Sequence, residues 1–342
     1  MIRALALLLL PLSVQAEVYR ISTYNTELSR NGPGLLLRDI QRDDAQVEAV
    51  VEVIAAARPD VIALQGIDWD LEGAALSALS EKLREAGLDF PYHFSAQPNA
   101  GLETPLDLDG DGKTQGPGDA QGWGKFTGHG GVAVLSRFEI MTDDVQDYTD
   151  LRWKDLPGAA LPRSDGLPFP SEAAHDIQRL SSTVHWVLPI ETPQGRFSLM
   201  TFHAAPPVFD GPEDRNGLRN RDEIRLWSVL LNGGLGPVPQ GPFVIAADAN
   251  LDPSRGEGHK QAIRALLTDP KVQDPIPKDP SGSSATVEWK ATGEMRVDYV
   301  LPSSDLQILE TGIVWPVEGD TLYDSARRAS RHRLVWVDII LP

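Results

Sequence analysis

Four short strings in this chain hold residues able to manage a reacting phosphoryl or acyl group, and each falls where an apolar, strand-like run ends. They are Tyr24-Asn25, Thr201-Phe202-His203, Asp248-Ala249-Asn250, and Val297-Asp298-Tyr299 taken with Ser330-Arg331-His332. Asp248 and Asn250 stand at i and i+2 after an apolar run, so an extended backbone would project both to one side. A carboxylate there can order or deprotonate an attacking water, and an amide can donate to a phosphoryl oxygen. The plainer alternative is an Asx-turn that closes the strand, with Asp252-Pro253 continuing the loop. His203 can donate to a phosphate oxygen or a leaving group near neutral pH; a partly buried imidazole satisfied by backbone is its alternative. Asp298 and His332 suit a carboxylate–imidazole pair, which fixes the tautomer and raises the histidine pKa.

These residues need rigid elements behind them. Residues 18–24 alternate as a strand. Residues 44–58 carry Val47, Val50, Val51 and Ile54 at helical spacing and stop at Pro59. Residues 60–64 form a short apolar run, best read as a buried strand, and a second helix follows with Leu76, Leu79 and Leu83 on one face and Gly87 at its end. Residues 131–137 give another strand. Residues 181–190 and 196–202 alternate around Pro193-Gln194-Gly195, a hairpin pattern. A helix with Ile224, Trp227, Leu230 and Leu231 precedes the apolar strand at 243–247, and strands at 296–301 and 333–341 close the chain. Two polar, Gly- and Asp-rich stretches, near 91–130 and 142–178, read as long insertions. Helices mixed with many strands predict packed sheets covered by helices.

Composition narrows the classes. Residues 1–16 have the layout of a secretory signal peptide: Arg3, an apolar stretch from Ala4 to Leu12, and small Ala16 before the expected cleavage. That stretch is far short of the ~20 residues a spanning helix needs. The expected product is therefore a secreted or periplasmic protein, one domain from residue 17 to 342. It contains no cysteine, so an apolar core must hold it without disulfides. The formal charge of −18 repels phosphate backbones and disfavours long duplex DNA as a partner. One basic cluster, Arg215, Arg219 and Arg221, is interleaved with Asp214, Asp222 and Glu223.

Taken in order, the strings resemble the endonuclease/exonuclease/phosphatase superfamily: Asn after the first strand, a Leu-Gln-Glu-like string, a strand-ending His, Asp-x-Asn, an Asp before an apolar strand, and a Ser-Asp-His-like string near the end. Residues 201–227, including Pro206-Pro207-Val208-Phe209-Asp210-Gly211-Pro212-Glu213-Asp214-Arg215-Asn216, look like a secreted bacterial branch of that superfamily. The resemblance implies an α/β four-layer sandwich, two mainly antiparallel sheets face to face with helices outside, and a phosphodiester or phosphomonoester hydrolase. It implies that Asn25 positions the catalytic carboxylate or a metal, Asp248 aligns water and Asn250 contacts phosphate. It further implies that His332 stabilises phosphoryl charge with Asp298 as its orienter, and that His203 is the second histidine. Arg331 and Arg219 are candidates for the substrate phosphate, and magnesium or manganese for the cofactor.

Two positions depart from the pattern. Leu64-Gln65-Gly66 lacks the metal-binding glutamate, and Ser330-Arg331-His332 has a cation in place of an aspartate. Hard divalent ions depend on carboxylate oxygens. Three arrangements remain open: Asp68 or Asp70 restores a ligand, Arg331 stands in for the ion, or a phosphate-recognising pocket survives without catalysis. Separately, Asp107, Asp109 and Asp111, with Gly112 at the sixth position, match the first half of a calcium loop; a solvated acidic loop is the alternative.

Overall fold

The computed structural model describes residues 17–342, so the expected leader at 1–16 lies outside the described residues. The first sheet contains β1 (Tyr19–Leu28), β2 (Val61–Ile67), β3 (Tyr92–Phe94) and β4 (Gly131–Ser136). In the second lie β5 (Glu139–Ile140), β6 (Gln146–Asp147), β9 (His185–Thr192), β10 (Gly195–Phe202) and β11 (Phe243–Asp248), with a small hairpin of β7 (Arg163–Ser164) and β8 (Leu167–Pro168) between. A second small hairpin, β12 (Val287–Trp289) and β13 (Gly293–Met295), precedes β14 (Asp298–Pro302), β15 (Gln307–Ile313) and β16 (Val335–Ile340). The two large sheets run β15-β16-β1-β2-β4-β3 and β14-β11-β10-β9-β5, with β6 also on β9. Neighbours are antiparallel except β1 with β2 and β10 with β11.

The sheets pack face to face through Ile21, Val61, Ala63, Trp186, Leu188, Leu199 and Val244. Helices α1 (Leu35–Ile40), α2 (Ala45–Ala57), α3 (Ala74–Glu85) and α7 (Tyr323–Ala329) lie with the first sheet, whose outer core includes Val50, Ile54, Leu79, Ile62 and Leu64. The second sheet buries Met200, Phe202 and Ile245 beneath Ile224, Trp227 and Leu230 of α5 (Arg215–Leu231) and Ile263 of α6 (Lys260–Leu267). This is the expected four-layer sandwich. Covering both faces explains why every residue of β2 is buried, so that strand reads as an apolar run rather than an alternation. The short α4 (Glu172–Ile177) lies within the stretch expected as the second insertion.

Local signals set the boundaries that matter. Asp44 caps α2 by accepting from the N–H groups of Gln46 and Val47, and Arg58 ends it in the left-handed region before Pro59. The expected hairpin forms with Gly195 opposite Thr192. Helix α1 was not foreseen: its six residues follow Gly34 at φ 74°, and three consecutive leucines show no helical period. Among the described residues, no helix is long and apolar enough to cross a membrane.

Candidate active site

Strand register assembles the site. His203 bridges to Asp248, and Asp248 pairs directly with Asp298, so three of the four strings meet side by side at the end of the second sheet. The facing sheet supplies Asn25, whose Nδ2 donates to Asp248 Oδ2 at 2.9 Å. His203 Nε2 lies 3.4 Å from the same oxygen. His332 Nδ1 lies 3.0 Å from Asp298 Oδ2 and 3.8 Å from Asp248 Oδ2. Asp248, Asp298 and His332 are all buried.

Burial alone would neutralise both carboxyls, and the charges around them decide otherwise. Asp248 feels that push upward, but the imidazolium of His332, with help from His203 and Asn25, holds it below the ordinary range. For Asp298 burial wins, and its carboxyl is pushed up to about 6 despite His332. Burial opposes charge on His332, yet Asp298 and Asp248 raise it to about 9. At neutral pH the centre is therefore an aspartate, Asp248, beside a carboxylate–imidazolium pair. Thr286 Oγ1 accepts from the N–H groups of Val297 and Asp298, 3.0 Å each, and fixes the start of β14.

Asn250 combines both readings of its string. Its N–H donates to Asp248 Oδ1 at 2.8 Å, which is the Asx-turn, and its φ of 49° turns the chain away from the strand. Its Nδ2 donates to Ala204 O at 2.9 Å, tying the loop after Asp248 to the loop after His203.

Helix α5 does more positioning than its apolar face suggested. Asn220 Nδ2 donates to Ala205 O and Ala249 O, 2.8 Å each, gripping both catalytic loops at once. Glu223 accepts from the N–H groups of Ser182 and Ala205 at 2.6 and 2.7 Å. Arg219, expected at the substrate phosphate, is turned into the fold. It is buried, and its guanidinium donates to the carbonyls of Leu180, Gln121, Arg179 and Ser181. Its Nε and Nη2 are spent on those carbonyls, and Asp222 and Glu223 are buried with it, while Asp214, Arg215 and Arg221 stay partly exposed. Arg219→Ala should therefore unfold at a clearly lower temperature, by about 3 kcal/mol of stability or more, because it orphans those carbonyls and leaves buried Glu223 without its cation. Thermal melting tests this, and Arg219→Lys should not rescue it.

Asp68 and Asp70, the expected surrogate ligands, are both engaged by backbone N–H groups. Asp68 accepts from the N–H groups of Arg30 and Gly130, 2.8 and 2.9 Å, and burial pushes its carboxyl up to about 6. Asp70 accepts from Ala74 and Ala75 and caps α3. Asp248, Asp298 and His332 do bring ligand-type atoms within 4.8 Å of one another. The chemistry of that set suits a hard divalent ion poorly, because it offers two carboxylates, one of them paired with the His332 imidazole. In the acidic loop, Asp119 rather than Asp111 gathers with Asp107 and Asp109. Asp111 instead accepts from the N–H of Lys113 at 2.8 Å, while Asp119 accepts from Leu108 and Gly116.

A fully charged pair that the motif strings did not reveal lies beside Asn25. Glu27 accepts from Arg331 Nε and Arg331 N, 2.7 Å each, and Arg331 Nη2 completes the ion pair. Strand spacing could not reveal it, because the register shifts between Asn25 and Leu28 and Glu27 itself has φ 50°.

The chain matches the model of the Endonuclease/Exonuclease/phosphatase family over residues 22–332, and it belongs to that family. Members of the superfamily are hydrolases acting on phosphoesters. Among solved structures it is similar to an endonuclease/exonuclease/phosphatase from Beutenbergia cavernae (17% identity, TM-score 0.57, covering 95% of this chain and 72% of that one). A family protein from Leptotrichia buccalis aligns at 16% identity and TM-score 0.55 over 95% and 99% of the two chains. A beta toxin from Staphylococcus aureus with bound magnesium ions aligns at 12% identity and TM-score 0.52 over 93% and 98%. No curated protein matches the sequence.

Proposed function

We propose that the chain is an exported phosphoesterase that hydrolyses a phosphodiester or phosphomonoester by in-line attack of water, at a site whose usual metal-binding carboxylates are altered. The observation that carries this reading is the hydrogen-bonded set Asn25–Asp248 with Asp298–His332, drawn from distant parts of the chain onto one end of the sandwich. Asp248 is ionised by its surroundings and held in place by Asn25, His203 and the Asn250 N–H. It takes a proton from the water whose oxygen bonds to phosphorus. The opposite P–O bond breaks, and the departing oxygen takes its proton from solvent. His332, kept charged by Asp298, faces the charge that grows on the phosphoryl oxygens. His203 sits against Asp248, so it serves the base rather than the leaving group on the far side of an in-line path.

The leader at residues 1–16 supports export, and the charge of −18 favours a compact ester over long duplex DNA. Gly66 and Arg331 also favour a second reading, a protein that binds phosphate esters without turning them over. Incubation with activated diesters, monoesters and duplex DNA in ¹⁸O-labelled water separates the two. Label appearing in the phosphate product of a small ester supports hydrolysis by water; phosphate-ester binding with no labelled product from any substrate supports the binding protein.

A further inference from the structure

At the point where the family pattern places a glutamate, the backbone of this chain leaves no room for a side chain. Strands β1 and β2 pair in parallel up to Asn25 and Gln65, and then the register shifts. In that irregular stretch Gly66 has φ 67° and Glu27 has φ 50°, conformations that glycine tolerates and other residues adopt at a cost. A Cβ on Gly66 would fall 2.5 Å from Asn25 Oδ1 and 3.2 Å from Glu27 N. The nearby carboxylate is therefore one strand over, on Glu27.

Glu27 is turned toward the loop before β16. Its Oε1 receives Nε and Nη2 of Arg331, while its Oε2 receives the Arg331 N–H at 2.7 Å and lies 3.1 Å from Ser330 Oγ. Ser330 Oγ also donates to Asn25 O at 2.8 Å and accepts from the His332 N–H at 3.0 Å. One hydroxyl thus ties the Asn25 backbone to the His332 N–H, with Glu27 Oε2 beside it. Burial alone would raise the Glu27 carboxyl, but Arg331 holds it below the ordinary range. The Arg331 side chain remains 63% exposed, and its Nη1 has no hydrogen-bond partner among the described residues. That is a fork fixed on one edge and free on the other, the geometry that grips a phosphate. Both acceptor oxygens of Glu27 are already engaged, so a metal would have to displace the guanidinium to use them.

We propose that Glu27 is a positioning residue: it holds Arg331 at the edge of the Asp248–His332 site so that the guanidinium supplies the cation facing the substrate phosphoryl group, in place of a divalent ion. This rests on the phosphoesterase reading above and adds to it a cation source and a residue that aims it.

The test uses the chain from residue 17 onward and the variants Glu27→Gln, Arg331→Ala and Arg331→Lys, with bis(4-nitrophenyl) phosphate as substrate, in excess EDTA and in magnesium. The unaltered chain should turn over equally in both. Arg331→Ala should lower kcat/KM roughly a hundredfold, with partial recovery in Arg331→Lys, because lysine keeps the charge and loses the fork. Glu27→Gln frees the arginine without removing it, so kcat should fall about tenfold while KM does not rise. A lost salt bridge of purely structural importance would lower the melting temperature and leave kcat per folded molecule unchanged, which would overturn the proposal. A strict magnesium requirement that weakens in Glu27→Gln would make Glu27 a metal ligand and overturn it equally. A turnover-free arm keeps this question apart from hydrolysis itself: affinities for inorganic phosphate and orthovanadate, both in EDTA. Arg331→Ala should weaken both, and Glu27→Gln should reduce the preference for vanadate, which mimics the five-coordinate state. Loss of that preference in a chain that hydrolyses nothing would sink the hydrolase reading and keep the positioned arginine; no change in either variant would sink the arginine.

Discussion

Asp248→Asn is expected to lower kcat roughly a thousandfold, the scale of a lost general base, while KM stays near that of the unaltered protein. The substitution preserves shape, and the Asn250 N–H can still be accepted by the remaining amide oxygen. What disappears is the carboxylate proposed to take the water proton. The second oxygen position, which now accepts from Asn25 Nδ2 at 2.9 Å and faces His203 Nε2, would present N–H to two donors. A modest loss of stability accompanies that conflict, on the order of 1–2 kcal/mol. Steady-state kinetics alongside a thermal melt separates the two effects. A variant that folds and keeps a tenth of the activity would remove Asp248 from the chemistry.

The second large effect is in the pH profile. In the proposed mechanism, turnover needs His332 protonated and Asp298 ionised to hold it. Burial lifts Asp298 to about 6, so activity should fall as pH drops below that value and the pair loses its negative member. Burial opposes charge on His332, but Asp298 and Asp248 raise it to about 9, so activity should fall again above that value as the imidazolium is lost. Between the limbs the profile should be flat. His332→Gln should cost roughly a hundred- to a thousandfold in kcat and erase the alkaline limb. Stability follows the same histidine. Its folded pKa is raised above the unfolded value, so its contribution is complete below about 6.5 and is lost as pH climbs through about 9. Urea midpoints should therefore decline across that window in the unaltered chain and decline less in His332→Gln. A profile centred near 6.5 with no alkaline shift would show that the two aspartates do not hold the imidazolium.

The residues legible in the sequence were those whose position follows from a strand ending. His203, Asp248 and Asp298 each sit at or beside such a terminus, and register then brings them side by side; β1 instead continues past Asn25 to Leu28, and His332 precedes β16 by three residues. Periodicity also found the apolar face of α5 at Ile224, Trp227 and Leu230. It could not find the work of Arg219, Asn220 and Glu223 on the same helix, because their partners are carbonyls and N–H groups contributed by loops far away in sequence. A charge run usually reads as a solvated face, and here Arg219, Asp222 and Glu223 are buried. Glu27 was hidden for a different reason. Strand alternation fails at the irregularity between Asn25 and Leu28, and only the left-handed turn at Glu27 and Gly66 brings this carboxylate to Arg331. Asp68 and Asp70 looked like surrogates by proximity to Gly66, whereas both serve backbone N–H groups.

The most direct measurement is turnover of an activated phosphodiester by the chain from residue 17 onward, in excess EDTA, beside Asp248→Asn. Release of product that persists in EDTA and collapses in the variant is the expected result. No release in EDTA, or with magnesium, manganese or calcium added, from diesters and monoesters alike would contradict a hydrolase built on Asp248 and His332.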